Sequence, residues 1–351
     1  MFIRIVNFIF AALPLIAHAQ SANPPHLVIA PGMTETVAFQ ATPGASLQMT
    51  WPDQTKEKIE IKPDQTGNTS FLLRVPESME TGELRLLLQD ATQEATVVAD
   101  IIDREQYRKL DTIASSIHLS KPMRILVLGD SLTAQLAGSN QIDKLQFWLK
   151  KHNPGMIQFR NAAVGGDSIR LVSRRLKHLL DPATQKPQFR QESYDDLFDF
   201  QPDLVFIALG QNDTKVTSQS NYQETMLSPE EWQRYFAETV DILEKYTKAQ
   251  VVLISSISPV EEICKQRAGA RAKEGRVHLL YGQPQAMENF NAFLKAFGEK
   301  RGLEFCDFYT PTKNHPNKVS LFQPADGLHL TADGNRFLAQ LYLQYFAAHF
   351  R

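Results

Sequence analysis

The chain has 351 residues, with 37 Lys and Arg against 39 Asp and Glu, so its formal net charge is −2 at pH 7. This near balance excludes the strong basic excess typical of nucleic-acid binders, and an apolar fraction of 43% excludes wholesale disorder. A chain of this length is expected to form two domains, and it can bury a core without disulfide staples.

Residues 1–19 have the pattern of a secretory signal peptide. Arg4 supplies a positive charge, residues 5–16 are mostly apolar, and Ala-His-Ala at residues 17–19 forms an A-x-A cleavage site. The apolar run is too short to span a bilayer, and no later segment is long and apolar enough to do so. The sequence therefore predicts cleavage after Ala19, a periplasmic or secreted protein, and no stable membrane insertion.

Residues 26–103 contain short stretches that resemble strands, several of which alternate apolar with polar residues. Turn residues such as Pro43-Gly44 and Thr81-Gly82 separate them. The predicted strands are residues 27–30, 36–39, 47–51, 58–61, 70–75, 83–88 and 96–99. Such dense, short strands favour a small antiparallel β-sandwich of the immunoglobulin or fibronectin type. Residues 104–121 are expected to form a helical linker.

From residue 122 onwards, apolar strand-like runs alternate with helical stretches. The predicted strands are residues 123–128, 157–160, 204–209, 251–254 and 303–305. Ser228 is expected to cap a helix that begins with Pro-Glu-Glu, and the last helix is expected to begin near Thr331. This alternation predicts an α/β domain over residues 122–351 with a doubly wound parallel sheet. The active site of such a sheet lies at the carboxyl ends of its strands.

Polar and glycine-rich segments stand at these strand ends. Residues 129–133 read Gly-Asp-Ser-Leu-Thr, residues 161–167 include two adjacent glycines, and residues 210–213 read Gly-Gln-Asn-Asp. Residues 326–329, Asp-Gly-Leu-His, come just before the last predicted helix. Each segment alone is consistent with an ordinary turn, since these residue types favour turns. Their occurrence in order, where such a sheet binds its ligands, indicates one common site.

These four segments resemble the signature blocks of the SGNH, or GDSL-type, hydrolases, which are esterases and lipases on a flavodoxin-like sheet. The resemblance covers residues 122–351 and leaves out the N-terminal β-region. It implies Ser131 as a nucleophile whose hydroxyl needs a base. His329 is the expected base, because imidazole titrates near working pH. Asp326 is expected to accept the Nδ1 proton of His329 and leave Nε2 free.

The resemblance also implies three donors for the oxyanion of a tetrahedral intermediate. They are the backbone N–H of Ser131, the backbone N–H of Gly166 and the side-chain amide of Asn212. Counting from Asn161, the family pattern favours Gly166, while Gly165 remains the alternative. A glycine is needed there because the backbone must approach the substrate closely.

Asp130 and Asp213 are expected to support the loops around the nucleophile. A metal site built from them and Asp326 is not expected, because the serine mechanism requires none, and no cofactor is predicted. In an oxidising compartment, Cys264 and Cys306 can pair as a disulfide; the alternative is two separate buried thiols.

The predicted substrate is a short-chain ester, with acetyl as the expected acyl group, on a carbohydrate. Export makes acyl-CoA implausible, the β-sandwich resembles accessory modules of secreted carbohydrate esterases, and residues 215–227 and 261–284 offer no long apolar lid. The alternatives are a lipid or aryl esterase, a periplasmic polysaccharide O-acetyltransferase, and a binding module with a silent site. A basic run indicates either contact with an anionic polysaccharide or a solvated face. Its members are Lys265, Arg267, Arg271, Lys273 and Arg276.

Overall fold

The structure, a computed structural model, describes residues 15–17, 26–65, 67–89, 94–187, 189–275 and 278–350. The chain folds as two compact units that divide between Asp111 and Thr112. The predicted signal peptide lies outside the described residues, apart from Leu15–Ala17, which forms strand β1. None of the helices in these ranges combines the length and the apolar character that crossing a membrane requires.

The first unit consists mainly of strands. They are β2 (His26–Ile29), β3 (Thr34–Gln40), β4 (Ser46–Thr50), β5 (Lys56–Glu60), β6 (Asn68–Arg74), β7 (Gly82–Gln89) and β8 (Glu94–Ile101). They form one sheet in the order β2-β8-β7-β4-β5 and a second, with β1, in the order β1-β3-β6. Every strand predicted in this region is present, with ends displaced by no more than two residues. The pattern of residues 26–103 therefore predicted the strands well.

The predicted antiparallel pairing is found for most neighbouring strands, but two edge strands pair in parallel. Strand β2 pairs in parallel with β8, and β1 pairs in parallel with β3. The remaining pairs are antiparallel. No hairpin joins β2 to β8, so turn geometry does not impose the direction in which this edge strand pairs.

The second unit contains seven strands and most of the helices. The strands are β9 (Met123–Gly129), β10 (Ile157–Asn161), β11 (Leu204–Ala208), β12 (Val216–Thr217), β13 (Gln250–Ile254), β14 (Leu279–Leu280) and β15 (Glu304–Cys306). The helices are α2 (Ser131–Ala134), α3 (Gln141–His152), α4 (Ile169–Leu180), α5 (Gln211–Thr214), α6 (Pro229–Tyr246), α7 (Glu261–Lys273), α8 (Pro284–Arg301), α9 (Tyr309–Lys313) and α10 (Ala332–His349); α1 (Arg104–Ser115) runs across the division between the units. Short 3₁₀ helices occupy Gln191–Tyr194, Ser218–Ser220 and Lys318–Leu321.

Five strands of the second unit form a parallel sheet in the order β10-β9-β11-β13-β15. In chain order of these strands this is 2-1-3-4-5. Strand order therefore reverses at β9, and the carboxyl ends of β10, β9 and β11 lie side by side. Ligands of open α/β sheets bind at such a point.

Helices cover both faces of this sheet. Val205 and Ile207 of β11 belong to a buried cluster with apolar residues of α4, α6 and α8. Phe206, between them, packs edge to face against Tyr342 and Tyr345 of α10, with ring centroids 5.1 and 5.6 Å apart. Because successive strand side chains point to opposite faces, α10 lies on the face opposite α4, α6 and α8.

Two predicted helix starts are confirmed. The hydroxyl of Ser228 accepts the N–H of Glu231 at 3.3 Å, and the Glu231 carboxylate accepts the N–H of Ser228 at 3.0 Å, which completes a capping box before α6. The side chain of Thr331 accepts the N–H of Gly334 at 3.2 Å and caps α10.

Candidate active site

Ser131 stands where β9 ends and α2 begins. The preceding residue, Asp130, is the N-cap of α2, and its Oδ1 accepts the N–H of Leu132 at 2.9 Å. This cap fixes the sharp strand-to-helix turn. The half-buried Ser131 side chain lines a cleft at the carboxyl end of the sheet.

The structure brings Ser131, His329 and Asp326 into one chain of contacts. Nε2 of His329 lies 3.0 Å from Oγ of Ser131, although 198 positions separate the two residues. Nδ1 of His329 lies 2.6 Å from Oδ2 of Asp326. With its proton on Nδ1, the imidazole donates to the carboxylate and can accept the serine proton at Nε2.

Asp326 is held as a carboxylate by the loop that contains it. Burial raises its pKa, but hydrogen bonds from His329 and from backbone N–H groups outweigh this and keep the pKa below its ordinary value. The N–H groups are those of Leu328 and His329, both 2.9 Å from Oδ1. Nη1 of Arg267 also lies 3.0 Å from Oδ2. The residue is therefore ionised and oriented at neutral pH.

Two backbone N–H groups at the cleft make no hydrogen bond to any described residue. They belong to Ser131 and Gly166. Gly166 lines the cleft with φ at +87°, in the left-handed region that favours glycine. Gly165 lies beside Ser131, because a Cβ placed on it would be 3.7 Å from Cβ of Ser131. Of the two glycines, only Gly166 needs the special backbone conformation.

The amide of Asn212, the third predicted donor, is buried at the start of α5. Its Nδ2 lies 3.4 Å from Oδ2 of Asp130, and its Oδ1 accepts a hydrogen bond from Nζ of Lys215 at 3.1 Å. The ammonium thus orients the amide with its NH₂ group toward the nucleophile loop. Sequence reasoning missed this contact, although Lys215 follows Asn212 by three residues, about one helical turn.

Asp130 and Asp213 are fully buried supports. Burial raises the pKa of Asp130 to about 6 and that of Asp213 to about 7. Asp213 Oδ1 accepts the N–H of Ile169 at 2.8 Å and so joins α5 to the start of α4. Its Oδ2 has no hydrogen-bond partner among the described residues. Neither carboxylate lines the cleft that contains Ser131.

The cleft has a volume of about 160 Å³ and two dissimilar walls. The strand-end wall consists of Ser131, Leu132, Gly166, Gln211 and Asn212. The α7 wall consists of Cys264, Arg267, Arg271, Leu279 and Tyr281. Asp326, Leu328 and His329 close the cleft between them. Within the described ranges, no three His, Cys, Asp or Glu side chains are grouped so as to hold a metal ion.

Of the two alternatives for the cysteines, the structure shows separate thiols, because Cys264 and Cys306 are both free. The buried face of α7 directs Cys264 toward the catalytic loop, where its Sγ lies 3.4 Å from the carbonyl oxygen of Asp326. Cys306 is in β15, which pairs with β13. Burial raises the pKa of the two thiols to about 11 and about 12, so both are protonated at neutral pH.

A protein-family model described as GDSL-like lipase/acylhydrolase matches residues 127–337. This match covers more than half of the chain and includes all four strand-end segments. No curated protein matches the chain.

Several solved structures are similar to part of the chain. A lipase/acylhydrolase from Enterococcus faecalis is 19% identical with a TM-score of 0.46, over 65% of this chain and 97% of that one. A catalytic mutant of an acetylxylan esterase from Geobacillus stearothermophilus is 17% identical with a TM-score of 0.45, over 67% and 98%. A psychrotrophic esterase from Pseudoalteromonas is 19% identical with a TM-score of 0.42, over 64% and 96%.

Proposed function

The chain belongs to the GDSL-like lipase/acylhydrolase family, and on that basis we propose that it is an exported serine esterase that removes acetyl groups from carbohydrate. Family membership makes it an ester hydrolase; the acetyl group, the carbohydrate and export are the proposed refinements. The proposed architecture is a flavodoxin-like doubly wound domain, residues 122–351, preceded by a β-sandwich accessory domain, residues 26–103.

One observation carries the proposal: the continuous contact from Ser131 Oγ to His329 Nε2, 3.0 Å, and from His329 Nδ1 to Asp326 Oδ2, 2.6 Å. A serine hydroxyl is a weak nucleophile until a base accepts its proton. An oriented imidazole supplies that base, and a carboxylate stabilises the imidazolium that forms. The same contacts would have no purpose in a binding module.

In the proposed reaction, Oγ of Ser131 attacks the ester carbonyl while its proton moves to Nε2 of His329. The carbonyl oxygen becomes an oxyanion that accepts hydrogen bonds from the N–H groups of Ser131 and Gly166 and from Nδ2 of Asn212. Collapse of this intermediate breaks the ester C–O bond, and His329 returns its proton to the leaving alcohol. Water, activated by the same imidazole, then attacks the acyl-serine and releases the acid.

The size of the cleft supports a short acyl group. Its volume of about 160 Å³ is well below the roughly 300 Å³ at which pockets begin to enclose drug-sized ligands. Leu132, Leu279 and Leu328 supply a small apolar surface within it. A long lipid chain needs a larger apolar cavity than this.

Replacement of Ser131 tests the mechanism. We expect Ser131→Ala to lower kcat by roughly 10⁴-fold or more with the fold intact, because only the attacking oxygen is removed. A fluorophosphonate probe should label Ser131 in the wild-type protein and nothing in the variant. Ser116→Ala is the matched control, because Ser116 is exposed and outside the cleft. Near wild-type turnover by Ser131→Ala would refute the serine mechanism.

A panel of p-nitrophenyl esters from acetyl to octanoyl tests the acyl group. We expect kcat/KM to be highest for acetate; a maximum at octanoate would instead identify a lipid esterase. Product analysis with a free sugar as acceptor separates hydrolysis from transfer, since an O-acetyltransferase would form an acetylated sugar.

A further inference from the structure

The structure divides the basic run of residues 265–276 into two groups. Cys264 and Ala268 of α7 are buried against Leu328 and Leu280, so this face of the helix points toward the cleft. Arg267 and Arg271, one helical turn apart, flank that face and line the cleft with the nucleophile and the base.

The other basic residues of the run are directed elsewhere or lie outside the described residues. Nζ of Lys265 pairs with Glu261 at 2.5 Å, one turn back on the same helix, and Lys265 is not part of the cleft. Lys273 lies two positions, or about 200°, around the helix from Arg271, on its far side. Arg276 lies outside the described residues. Lys265 and Lys273 therefore lie on a solvated face of α7, whereas Arg267 and Arg271 line the cleft.

Arg271 carries a positive charge in the cleft without a protein partner. Its guanidinium makes no ion pair or hydrogen bond with any residue in the described part of the chain. Arg267 contacts Asp326 through Nη1 alone, so most of its five N–H donors remain available. Nζ of Lys215 lies 5.6 Å from the ring centroid of Tyr281, and it adds a third cation near this wall.

The acidic groups nearby neutralise only part of this wall. Asp326 pairs with Arg267 as well as with His329 and two backbone N–H groups, and Asp130 is buried behind Ser131 with a hydrogen bond to Leu132. A neutral sugar ester can accept hydrogen bonds from the Arg271 guanidinium only at uncharged oxygens. A carboxylate would gain two parallel charge-assisted hydrogen bonds from a guanidinium fork.

We propose that Arg267 and Arg271 form a subsite for a carboxylate on the substrate, so that the enzyme acts on acyl esters of acidic carbohydrate, such as acetylated uronic-acid chains. This inference rests on the proposed esterase function and names its substrate class. A carboxylate on the acyl group would present the same chemistry, and the experiment distinguishes the two positions.

The test compares kcat/KM for acetylated trigalacturonic acid and acetylated xylotriose, with p-nitrophenyl hemisuccinate and p-nitrophenyl acetate as the second pair. We expect the wild-type protein to prefer the acidic sugar, and the preference to decline between 0.05 and 0.5 M NaCl as salt screens the charges. Arg271→Gln should reduce that preference about tenfold, which corresponds to one charge-assisted hydrogen bond. A preference for hemisuccinate over acetate, with no preference for the acidic sugar, would overturn the assignment to the carbohydrate.

Lys273→Gln is the matched control, because it removes the same charge from the far side of α7. It should leave the preference between acidic and neutral sugar unchanged. If Arg271→Gln and Lys273→Gln have the same effect, or if Arg271→Gln lowers activity equally on both sugars, the subsite is refuted.

A binding measurement separates the two proposals. Calorimetry measures the affinity for trigalacturonic acid without turnover. It compares Ser131→Ala with the double variant that also carries Arg271→Gln. Arg271-dependent binding together with no wild-type activity on any acetyl ester would refute the acetyl-esterase function and leave the subsite in place. Esterase activity together with no Arg271-dependent binding would refute the subsite alone.

Discussion

The two walls of the cleft differ in how their polar groups are satisfied. On the strand-end wall, the side chains of Asn212 and Gln211 are buried and hydrogen-bonded to neighbouring residues. On the α7 wall, Arg271 is exposed and has no partner in the described ranges, while Arg267 gives one of its donors to Asp326. The contrast concerns side chains: those of Asn212 and Gln211 are held in place by burial and hydrogen bonds, whereas Arg267 and Arg271 keep most of their donors available for the proposed recognition of substrate.

Buried charged residues help to hold the side chains of the strand-end wall in place. Asp130, Asp213 and Lys215 lie behind the cleft, and burial shifts the pKa of each toward its neutral form. A buried ionisable side chain lowers the free energy of unfolding unless hydrogen bonds or an opposite charge compensate for its lost hydration. Because these residues lie next to the proposed oxyanion donors, we expect them to hold the Asn212 amide in place at this cost in stability. Replacing the residues around the Asn212 amide one at a time should separate their effect on kcat from their effect on the free energy of unfolding.

The largest effect is expected from removing the amide itself. Asn212→Ala deletes one of the three donors for the oxyanion, and such a loss typically lowers kcat by about 10²- to 10³-fold. KM should change little, because the donor acts mainly in the transition state. Steady-state kinetics on p-nitrophenyl acetate measures both constants, with exposed Asn314→Ala as control. A fall in kcat of less than threefold would remove Asn212 from the oxyanion hole.

A smaller fall in kcat is expected when the Asn212 amide is kept but the hydrogen bond that orients it is removed. Lys215→Met removes the ammonium that holds Oδ1 of Asn212 at 3.1 Å, and we expect kcat to fall about tenfold, the value of one hydrogen bond to a charged group. Lys215→Arg should recover part of the loss.

A double-mutant cycle identifies the route of this effect. If Lys215 acts through Asn212, adding Lys215→Met to Asn212→Ala should lower kcat no further. Fully additive losses would show that Lys215 acts on the substrate directly or on the fold as a whole, and not through the amide.

The same contrast explains what the sequence predicted. Ser131, Gly166, Asn212 and the Asp326–His329 pair lie in short segments at strand ends, where local pattern and strand order determine position. The order 2-1-3-4-5 brings those ends together. Local signals and one topological rule thus predicted that these segments meet, whereas the roles of the individual residues came from the resemblance to SGNH hydrolases.

The contacts that sequence did not reveal depend on side-chain direction. Whether Arg267 lies near Asp326 depends on how α7 is oriented about its own axis. A basic run in the sequence does not specify which of its residues face the cleft. The choice between a Cys264–Cys306 disulfide and separate thiols depended on the same orientation, because α7 directs Cys264 toward the Asp326 loop. The parallel pairing of β2 was missed because no turn connects it to its neighbour.

The smallest effect concerns the stability cost of the strand-end wall. Burial holds the folded-state pKa of Asp213 at about 7, above its ordinary value in an unfolded chain, with Asp130 acting in the same direction and Lys215 and the Ile169 N–H opposing it. Between about pH 4 and pH 7, Asp213 therefore binds more protons in the folded protein than in the unfolded chain. The free energy of unfolding should fall as pH rises through this window and level off above it.

Asp213→Asn should flatten that slope. The amide oxygen can still accept the N–H of Ile169, and the neutral NH₂ group replaces Oδ2, which has no hydrogen-bond partner among the described residues. We expect the variant to gain roughly 1 kcal/mol over the wild-type protein at pH 8 and to lose this advantage at pH 4, where the wild-type carboxyl is already protonated. Urea unfolding at the two pH values measures the difference, with exposed Glu299→Gln as the control for removal of one negative charge. If the variant gains the same free energy of unfolding at both pH values, Asp213 is neutral throughout this range and its ionisation does not destabilise the folded protein.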